Sequence, residues 1–488
     1  MVGAGMVGTR LAAYLIHEKH DVALVETDEE RVLHTSNRLD CLVLHDDGKS
    51  PSALEDAGIA RADALVCATD SDEANIVICG IAGTYRRQIL KIACVRNREY
   101  LALNDPSRGG NVPRSKSPSL DIDFFVHPDV ETARAAMNAI DHGAMGDVLS
   151  FDDSDYELGS IVVAKNSALD GLSLRNYREA VPGETLVTLV ERDGKSFLPD
   201  GSTVLKKGDR VRILAEGDDM RRVFELGGSS EYTLDRIGIA GGGGAGRLIA
   251  EGLLRDNGSM LDFAGSSGLP RRKKASAADV FKRFVKKSKR SVTLIENDYA
   301  LCNELAADFP DALVLNEDVS DESFVAEESL NNLDLIITAT EEQESNIITA
   351  LYLKSRGVKR AIAMVKNDGY SSIARGLGVD VAISVKSVVV DAILSRLIGG
   401  GVTGVHRLGS GSIDVFEMEI KAGMPVVDRS IADFHVKSGS LLMNVNRGGK
   451  SFIPRGDYVF RAGDRIVVAV KSSGEKQLEK FFGRPAAR

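Results

Sequence analysis

The sequence predicts an α/β fold with two open, parallel-sheet domains, each followed by a small α+β, strand-rich subdomain. Three observations carry this prediction. A Gly-x-Gly-x-x-Gly pattern occurs twice, beginning at Gly3 and again at Gly241. After each copy, short apolar runs end in polar clusters at matching intervals, as strands of a parallel sheet do. A second, smaller repeat rich in Gly, Pro and Asp turns follows each copy. At 488 residues the chain is too long for one core, so several domains are expected.

The first glycine pattern opens a helix over residues 7–17, where Val7, Leu11 and Leu15 recur at helical spacing. In a Rossmann-like turn the first glycine permits the tight bend and the second lets a pyrophosphate approach the backbone. The third lets helix and strand pack closely, and the phosphate rests on free N–H groups at the helix N-terminus. A strand over residues 21–25 then ends in Glu26, 18 positions beyond Gly8. That is near the ~20-residue offset of an acid that holds a ribose 2′-hydroxyl. A glutamate there favours an NAD-type ribose and repels a 2′-phosphate. Gly3, Ala4, Gly5, Met6, Val7, Gly8 and Glu26 are therefore candidate cofactor-binding residues, with Gly241, Gly243, Gly246 and Glu296 as their counterparts. Only Met1 and Val2 precede Gly3. Two residues do not fill a central strand of about five, and the expectation is that the recorded start lies inside the true first strand.

The following strands end in register across the two copies. Residues 41–44 run into Asp47-Gly48, and 64–68 run into Thr69-Asp70-Ser71-Asp72-Glu73, with Asn75 opening a helix. Residues 91–95 form a fifth strand before Arg96. In the second copy, 312–315 precede Asp318, and 335–339 precede Thr340, Glu344 and Asn346. Asp47 with Asp318, Thr69 with Thr340, Glu73 with Glu344 and Asn75 with Asn346 all share an offset of 271. Helix capping explains any one such acid or hydroxyl, but a common offset at four positions asks for more. Ligands bind beyond the carboxyl ends of parallel strands, so Asp47, Gly48, Thr69, Asp70, Glu73, Arg96, Asp318 and Thr340 join the candidate set.

The smaller repeat matches residues 194–201 to 449–456 (Gly-Lys-Ser-Phe in both) and ends in Gly208-Asp209-Arg210 and Gly463-Asp464-Arg465 before an apolar strand. The Gly-Asp-Arg element reads as a tight turn with a structural role. Residues 130–140 and 385–397 each follow a nucleotide unit. The apolar stripe of the latter, Val385, Val389, Ala392, Ile393 and Leu397, fits either a crossover element pairing the units or ordinary core. Gly246 to Glu296 spans 50 positions where Gly8 to Glu26 spans 18, so the second unit carries an insertion within 258–290. It holds Arg271-Arg272-Lys273-Lys274, then Phe281, Phe284 and Val285 on one helical face with lysines opposite. Residues 271–290 are read either as a solvated loop or as a contact with an anionic membrane surface.

Composition narrows the function. A net charge of −10 argues against general nucleic-acid binding. No apolar run reaches the ~18 residues of a membrane span. The five cysteines show no C-x-x-C spacing and read as reduced, mostly buried thiols. An NAD-dependent oxidoreductase needs a proton donor beside the nicotinamide. No tyrosine has a lysine four positions on, and of the eight histidines only His45 and His127 fall at strand ends. His17 and His20 lack companion metal ligands. No catalytic residue and no metal site is assigned, though the oxidoreductase stays as an alternative.

The order of modules resembles the regulatory subunits of bacterial Trk-type potassium uptake, whose domains belong to the RCK, or KTN, family. The motifs that carry the resemblance are Gly3-Ala4-Gly5-Met6-Val7-Gly8, Glu26, Asp47-Gly48, Thr69 with Asp72-Glu73-x-Asn75, and residues 92–100 (Ile-Ala-Cys-Val-Arg-Asn-Arg-Glu-Tyr). It implies N-domains over 1–127 and 231–383, C-domains over 151–230 and 407–488, and crossover helix with linker over 128–150 and 384–406. It further implies a cytoplasmic subunit, peripheral on the inner face of the cell membrane, that binds NAD(H), with ATP and ADP as further candidates. Such a subunit assembles as a homo-oligomeric ring, dimer or tetramer, beneath a membrane-embedded K⁺-translocating partner and gates it. Regulation of another cation transporter or antiporter stays open, because a partner surface leaves no motif. One departure stands out. The family's fifth strand usually ends Ala-Arg-Val-Arg, its first arginine reaching the nucleotide, whereas here that position is Cys94 and only Arg96 remains. Strand side chains alternate, so residues 94 and 96 face alike. Taking Val365 as the equivalent place in the second copy, with Lys366 and Asn367 next, the two clefts are expected to differ, the first being tighter for dinucleotide.

Overall fold

Apolar runs only four or five residues long, alternating with amphipathic helices, build the first unit. The computed structural model describes residues 1–86, 88–101, 122–141, 143–144, 148–151, 154–181, 183–226, 234–254, 290–319, 325, 327–397, 402–408, 413–431 and 440–471. The basic segment 271–289, and with it nearly all of the insertion, lies outside the described residues. The first unit runs α1 (Met6–His17), β1 (Ala23–Glu26), α2 (Glu29–Ser36), β2 (Leu42–His45), α3 (Pro51–Asp56), β3 (Ala64–Cys67), α4 (Asp72–Tyr85), β4 (Leu90–Cys94), α5 (Arg98–Leu101), β5 (Phe124–Val126) and α6 (Pro128–Asp141). Its strands pair in parallel, β1 with β2 and β3 with β4 and β5. Residues 1–3 join the two pieces: Val2 bridges Val25 on one side and Cys67 on the other, with Gly3 N donating to Val25 O and Val25 N to Met1 O. The Val2 amide donates to Val66 and its carbonyl accepts from Ala68, so this residue occupies the central-strand position. Asp28 and Ser71 cap α2 and α4 through their side chains, and acids in both first turns complement the helix dipole.

The first small unit contains β6 (Val148–Ser150), β7 (Tyr156–Val162), α7 (Leu174–Ala180), β8 (Leu186–Arg192), β9 (Lys195–Phe197), β10 (Arg210–Glu216) and α8 (Gly217–Leu226). These strands form one antiparallel sheet in the order β6-β7-β10-β8-β9. Arg192 lays its guanidinium on the buried Asp209 carboxylate, Nε at 2.7 Å and Nη2 at 2.6 Å, and Gly208 takes φ +85° to make the turn.

In the second unit the elements are β11 (Arg236–Ala240), α9 (Gly244–Leu254), β12 (Ser291–Glu296), α10 (Tyr299–Asp308), β13 (Leu313–Asn316), β14 (Leu335–Thr338), α11 (Gln343–Ser355), β15 (Arg360–Val365), α12 (Asp368–Leu377), β16 (Val381–Ser384) and α13 (Val385–Leu397). Here the parallel sheet is complete, in the order β13-β12-β11-β14-β15-β16, with β11 in the place that Val2 holds in the first unit. A second small unit repeats the antiparallel sheet as β17 (Val402–Leu408), β18 (Ile413–Glu419), β19 (Ser440–Arg447), β20 (Lys450–Phe452) and β21 (Arg465–Lys471), ordered β17-β18-β21-β19-β20. Arg447 grips Asp464 as Arg192 grips Asp209, with Nε at 2.6 Å and Nη2 at 2.7 Å. The Gly-Asp-Arg element is thus a turn closed by a buried ion pair.

Two reciprocal packings join the halves. Helix α6 leaves the first sheet and buries Val130, Ala133, Ala136 and Ile140 in one core with Ile237, Leu248 and Ile249 of the second unit. Helix α13 makes the return crossing, burying Val389, Val390, Ile393 and Leu394 against Leu11, Tyr14 and Val66 of the first. The stripe read from the sequence is therefore a crossover surface, and each buried aliphatic side chain contributes about 1.5–3 kcal/mol of burial free energy. The two small sheets also face one another, with Phe151, Leu158 and Leu214 against Val415, Met443 and Val467. Ser154 Oγ donates to Asn444 Oδ1 across that contact at 2.9 Å. Among the described residues no helix is long and apolar enough to cross a membrane.

Candidate functional site

Two of the three glycines in the turn tolerate nothing larger. Gly3 takes φ +96°, and a Cβ there would sit 2.7 Å from the Ala68 carbonyl oxygen. A Cβ on Gly8 would collide with the Gly3 carbonyl. Gly5 is different. It is the N-cap of α1 in ordinary extended geometry, offers no side chain to the first amides, and has nothing within 4 Å of a built Cβ. The cradle is thus closed behind Gly3 and Gly8 and open at Gly5, as an anion-receiving helix N-terminus requires. Gly241 (φ +104°), Gly246 and Gly243 repeat these roles in the second unit.

Glu26 ends β1 beneath this turn. Its Oε2 accepts the Ala4 amide at 2.6 Å, and its Oε1 accepts the amides of Thr27 at 2.9 Å and Asp28 at 3.0 Å. Glu296 does the same, with Gly242 N at 2.7 Å and Asp298 N at 3.0 Å. A carboxylate has about four acceptor positions. Glu26 takes a fourth, longer bond from Thr27 Oγ1 at 3.4 Å, and each acid ties its strand end to its glycine turn.

The polar positions shared by the two copies are held together internally. Asn75, fully buried, accepts from Thr69 N at 3.0 Å and Thr69 Oγ1 at 2.7 Å, and donates to Thr69 O at 3.2 Å and Cys94 O at 2.8 Å. Asn346 repeats all four bonds with Thr340 N at 2.9 Å, Thr340 Oγ1 at 2.7 Å, Thr340 O at 2.9 Å and Met364 O at 3.0 Å. For two of the four positions, the threonine and the asparagine, the common offset thus has a structural cause: an asparagine clamps two strand ends beside the glycine turn. Glu73 accepts from Ser71 Oγ at 2.9 Å, and its own amide and that hydroxyl hold its carboxyl below the usual range. Asp47 accepts the Lys49 amide at 2.9 Å, and Gly48 lies against Val2 and Ile78, where a side chain would collide. Asp318 follows β13 at the matching strand end of the second unit.

Asp72 was not among the candidates, yet it accepts the Arg96 amide at 2.9 Å and the Asn97 amide at 2.7 Å. The Arg96 guanidinium lies exposed, 3.9 Å from Asp70, with Arg31 also 3.9 Å from Asp70. Gln343 Oε1 takes the place of Asp72 in the second unit, accepting from Lys366 N at 3.1 Å. This register corrects one equivalence read from the sequence. Cys94 and Met364 both receive the clamp, and Cys94 pairs with Val126 as Met364 pairs with Ile383. Met364, not Val365, is therefore the counterpart of Cys94, and Lys366 is the counterpart of Arg96. Both clefts keep one cation at that strand end. Cys94 itself is a buried thiol that desolvation pushes up to about 12.

Gly3 packs over Thr69, Glu26 binds Ala4, and Gly48 touches Val2, so the first-unit candidates gather at one end of one sheet. His45 and His127, the histidines at strand ends, stand apart in kind. His45 Nε2 is 3.0 Å from the Thr27 carbonyl oxygen, and His127 is buried with neither ring nitrogen hydrogen-bonded.

Comparison with known proteins places this architecture. The TrkA-N domain family matches residues 1–105 and 277–385, and the TrkA-C domain family matches 158–227 and 415–483. The chain is 27% identical over 487 residues to the Trk system potassium uptake protein TrkA of Halomonas elongata, covering 99% of this chain and 98% of that one. It is 27% identical to the protein of the same name from Haemophilus influenzae, over 100% of this chain and 98% of the relative. A TrkA homolog of Archaeoglobus fulgidus is 26% identical over 99% of both chains. Among solved structures, a GsuK channel superposes with TM-score 0.53 at 15% identity, over 98% of this chain and 77% of that one. The GsuK RCK domain superposes with TM-score 0.51 at 16% identity, over 100% and 94%. These structural likenesses establish the shared fold.

Proposed function

The chain belongs to the TrkA family, built from paired TrkA-N and TrkA-C domains, and from that premise we propose that it is the nucleotide-binding regulatory subunit of a potassium uptake system. The observation that carries the proposal is the cradle built twice: an N-cap glycine open to an anion, with an acid from the next strand tied to the same turn. Gly3, Ala4, Gly5, Met6, Val7 and Gly8 would hold the pyrophosphate of NAD(H), and Glu26 the adenosine ribose. Thr69, Asp70, Glu73, Arg96, Asp47 and Gly48 would border it. Gly241, Gly243, Gly246, Glu296, Asp318 and Thr340 are the second set. ATP and ADP present the same phosphate chemistry. The chain works by binding and not by turnover, acting on a membrane-embedded K⁺-translocating subunit from the inner face of the membrane, as a ring of identical copies.

Ligand binding does regulatory work only if it favours one conformation over another. The crossed helices supply a route for that preference. Helix α13 of the second unit rests on α1, whose N-terminus is the first cradle, and α6 of the first unit rests on α9, whose N-terminus is the second. An anion that shifts α1 therefore shifts the second unit, to which α13 belongs. Calorimetric titration of the purified chain with NADH tests the proposal. Saturable binding lost in Gly5→Val is the expected result. Absence of binding, or steady oxidation of NADH with a carbonyl substrate, would overturn it.

A further inference from the structure

We propose that Asp129 makes the second cleft reject the pyrophosphate that the first accepts, so that each chain takes up one dinucleotide, at the first cleft. This inference rests on the nucleotide reading above and assigns a specificity-determining residue within it. The two crossover helices follow equivalent strands, since Val126 pairs with Cys94 as Ile383 pairs with Met364. Three residues on from each, Asp129 and Lys386 hold matching places on α6 and α13. Because the helices exchange units, Asp129 is delivered to the other unit's glycine turn and Lys386 to the side of α1 that carries Arg10.

The two deliveries have opposite sign. The Asp129 carboxylate lies over Gly244, the first residue of α9, so closely that any Cβ at that position would collide with it. A carboxylate there already occupies the positive end of the helix dipole, where a phosphate would otherwise be stabilised. The space at Gly243 is open, so charge and not bulk opposes the phosphate. Asp129 makes no ion pair among the described residues. Its neighbour His127 is 1% exposed, and burial lowers its pKa although Asp129 pulls it the other way. The nearby cation Arg98 is turned to Glu251, 3.3 Å away.

At the first cleft the counterpart of Gly244 is Met6, whose side chain points to solvent. Helix α13 brings Lys386 to α1 instead, within electrostatic reach of Arg10 and Asp368. Asp368 is itself occupied, pairing with Arg10 at 2.9 Å and accepting from Ser387 Oγ. The opposite unit therefore brings a cation to α1 where it brings an anion onto the second cradle. Lys366 restores a strand-end cation to the second cleft, so the asymmetry comes from the crossover helices and not from the fifth strand.

Calorimetric titration of the full chain with NADH tests this, using wild type, Asp129→Asn, Asp129→Ala and Lys386→Gln. Wild type is expected to bind one NADH per chain. Asp129→Asn and Asp129→Ala should each admit a second, its affinity raised roughly ten-fold or more by loss of the like charge. Lys386→Gln should weaken the first site about three- to ten-fold. Two equal sites in wild type, or a stoichiometry of one that both Asp129 substitutions leave unchanged, would overturn the inference while leaving the nucleotide reading intact. Binding to none of the four proteins would sink the nucleotide reading, and this inference with it.

Discussion

Replacing Asn75 by alanine removes a side chain that makes four hydrogen bonds while fully buried. Two of its partners, the Thr69 amide and hydroxyl, lie near solvent and recover water. The Cys94 carbonyl does not, because its bond to Asn75 Nδ2 at 2.8 Å is buried. An orphaned buried acceptor costs about 1–3 kcal/mol, and the space left by the missing amide adds roughly 1 kcal/mol. The expected total is about 2–4 kcal/mol, felt locally where β3 and β4 end. A chain of several domains has no single unfolding free energy, so the assay is native-state hydrogen exchange of the amides at 64–69 and 90–95, which reads local opening. Asn346→Ala should cost the same within error, since its four bonds run from 2.7 to 3.0 Å. Asn75→Asp should be worse, because a carboxylate would face the two carbonyls that the amide now serves. Because Gly3 packs on Thr69, NADH affinity should fall with protection. A loss below about 0.5 kcal/mol in both alanine variants would refute the clamp as the reason for the shared offset.

Four further outcomes follow from other places in the fold. Gly5→Ala should leave the melting temperature within about 1 °C while weakening NADH binding at least about ten-fold, whereas Gly3→Ala, strained at φ +96° against Ala68, should unfold at lower temperature. Burial works against ionisation of Asp334, but hydrogen bonds from Lys359 and Arg236 outweigh it and hold the carboxyl down to about 2. A depressed native pKa stabilises above the unfolded value of ~3.9. That contribution should be complete above about pH 4 and lost as pH falls toward about 2, and Asp334→Asn should flatten this acid limb in a urea-midpoint series. Arg447→Met strands the buried Asp464 carboxylate, and the second small unit should lose about 3–5 kcal/mol by hydrogen exchange in β21. Of the five cysteines, only the half-buried Cys41 should react with iodoacetamide in the native protein, because Cys67, Cys79, Cys94 and Cys302 are buried, a pattern that peptide mapping by mass spectrometry would read.

The parallel units were legible because their signals are local. The glycine turns, the strand-ending acids and the Gly-Asp-Arg turns each announce a backbone geometry within a few residues. Their partners were not legible, since they lie far along the chain. Arg192 reaches Asp209 from 17 residues away, and Asn75 reaches the Cys94 carbonyl from 19. The strand-end register slipped by one because the helix between β14 and β15 brings the strand in one residue earlier than its counterpart does. The paired clamps on Cys94 and Met364, with the matching strand pairings, expose that shift. Helix 385–397 carried an apolar stripe that fitted two roles equally. Periodicity says which face is buried and nothing about whose sheet buries it. The candidate residues at the first cleft do gather at one sheet end, yet Thr69 and Glu73 proved to be tied to neighbours, a distinction no spacing conveys. Asp129 and Lys386 escaped notice because their importance depends on the exchange of helices.

The account's central claim is that a nucleotide held at these glycine turns controls potassium movement. Potassium uptake by cells whose sole copy of the chain is wild type or Gly5→Val, at matched protein levels, tests it most directly. The account predicts that the substituted chain, folded but unable to seat a pyrophosphate, gives an uptake rate that no longer follows the cellular NADH level as the wild-type rate does. Identical uptake from both chains across imposed changes in NADH would contradict it.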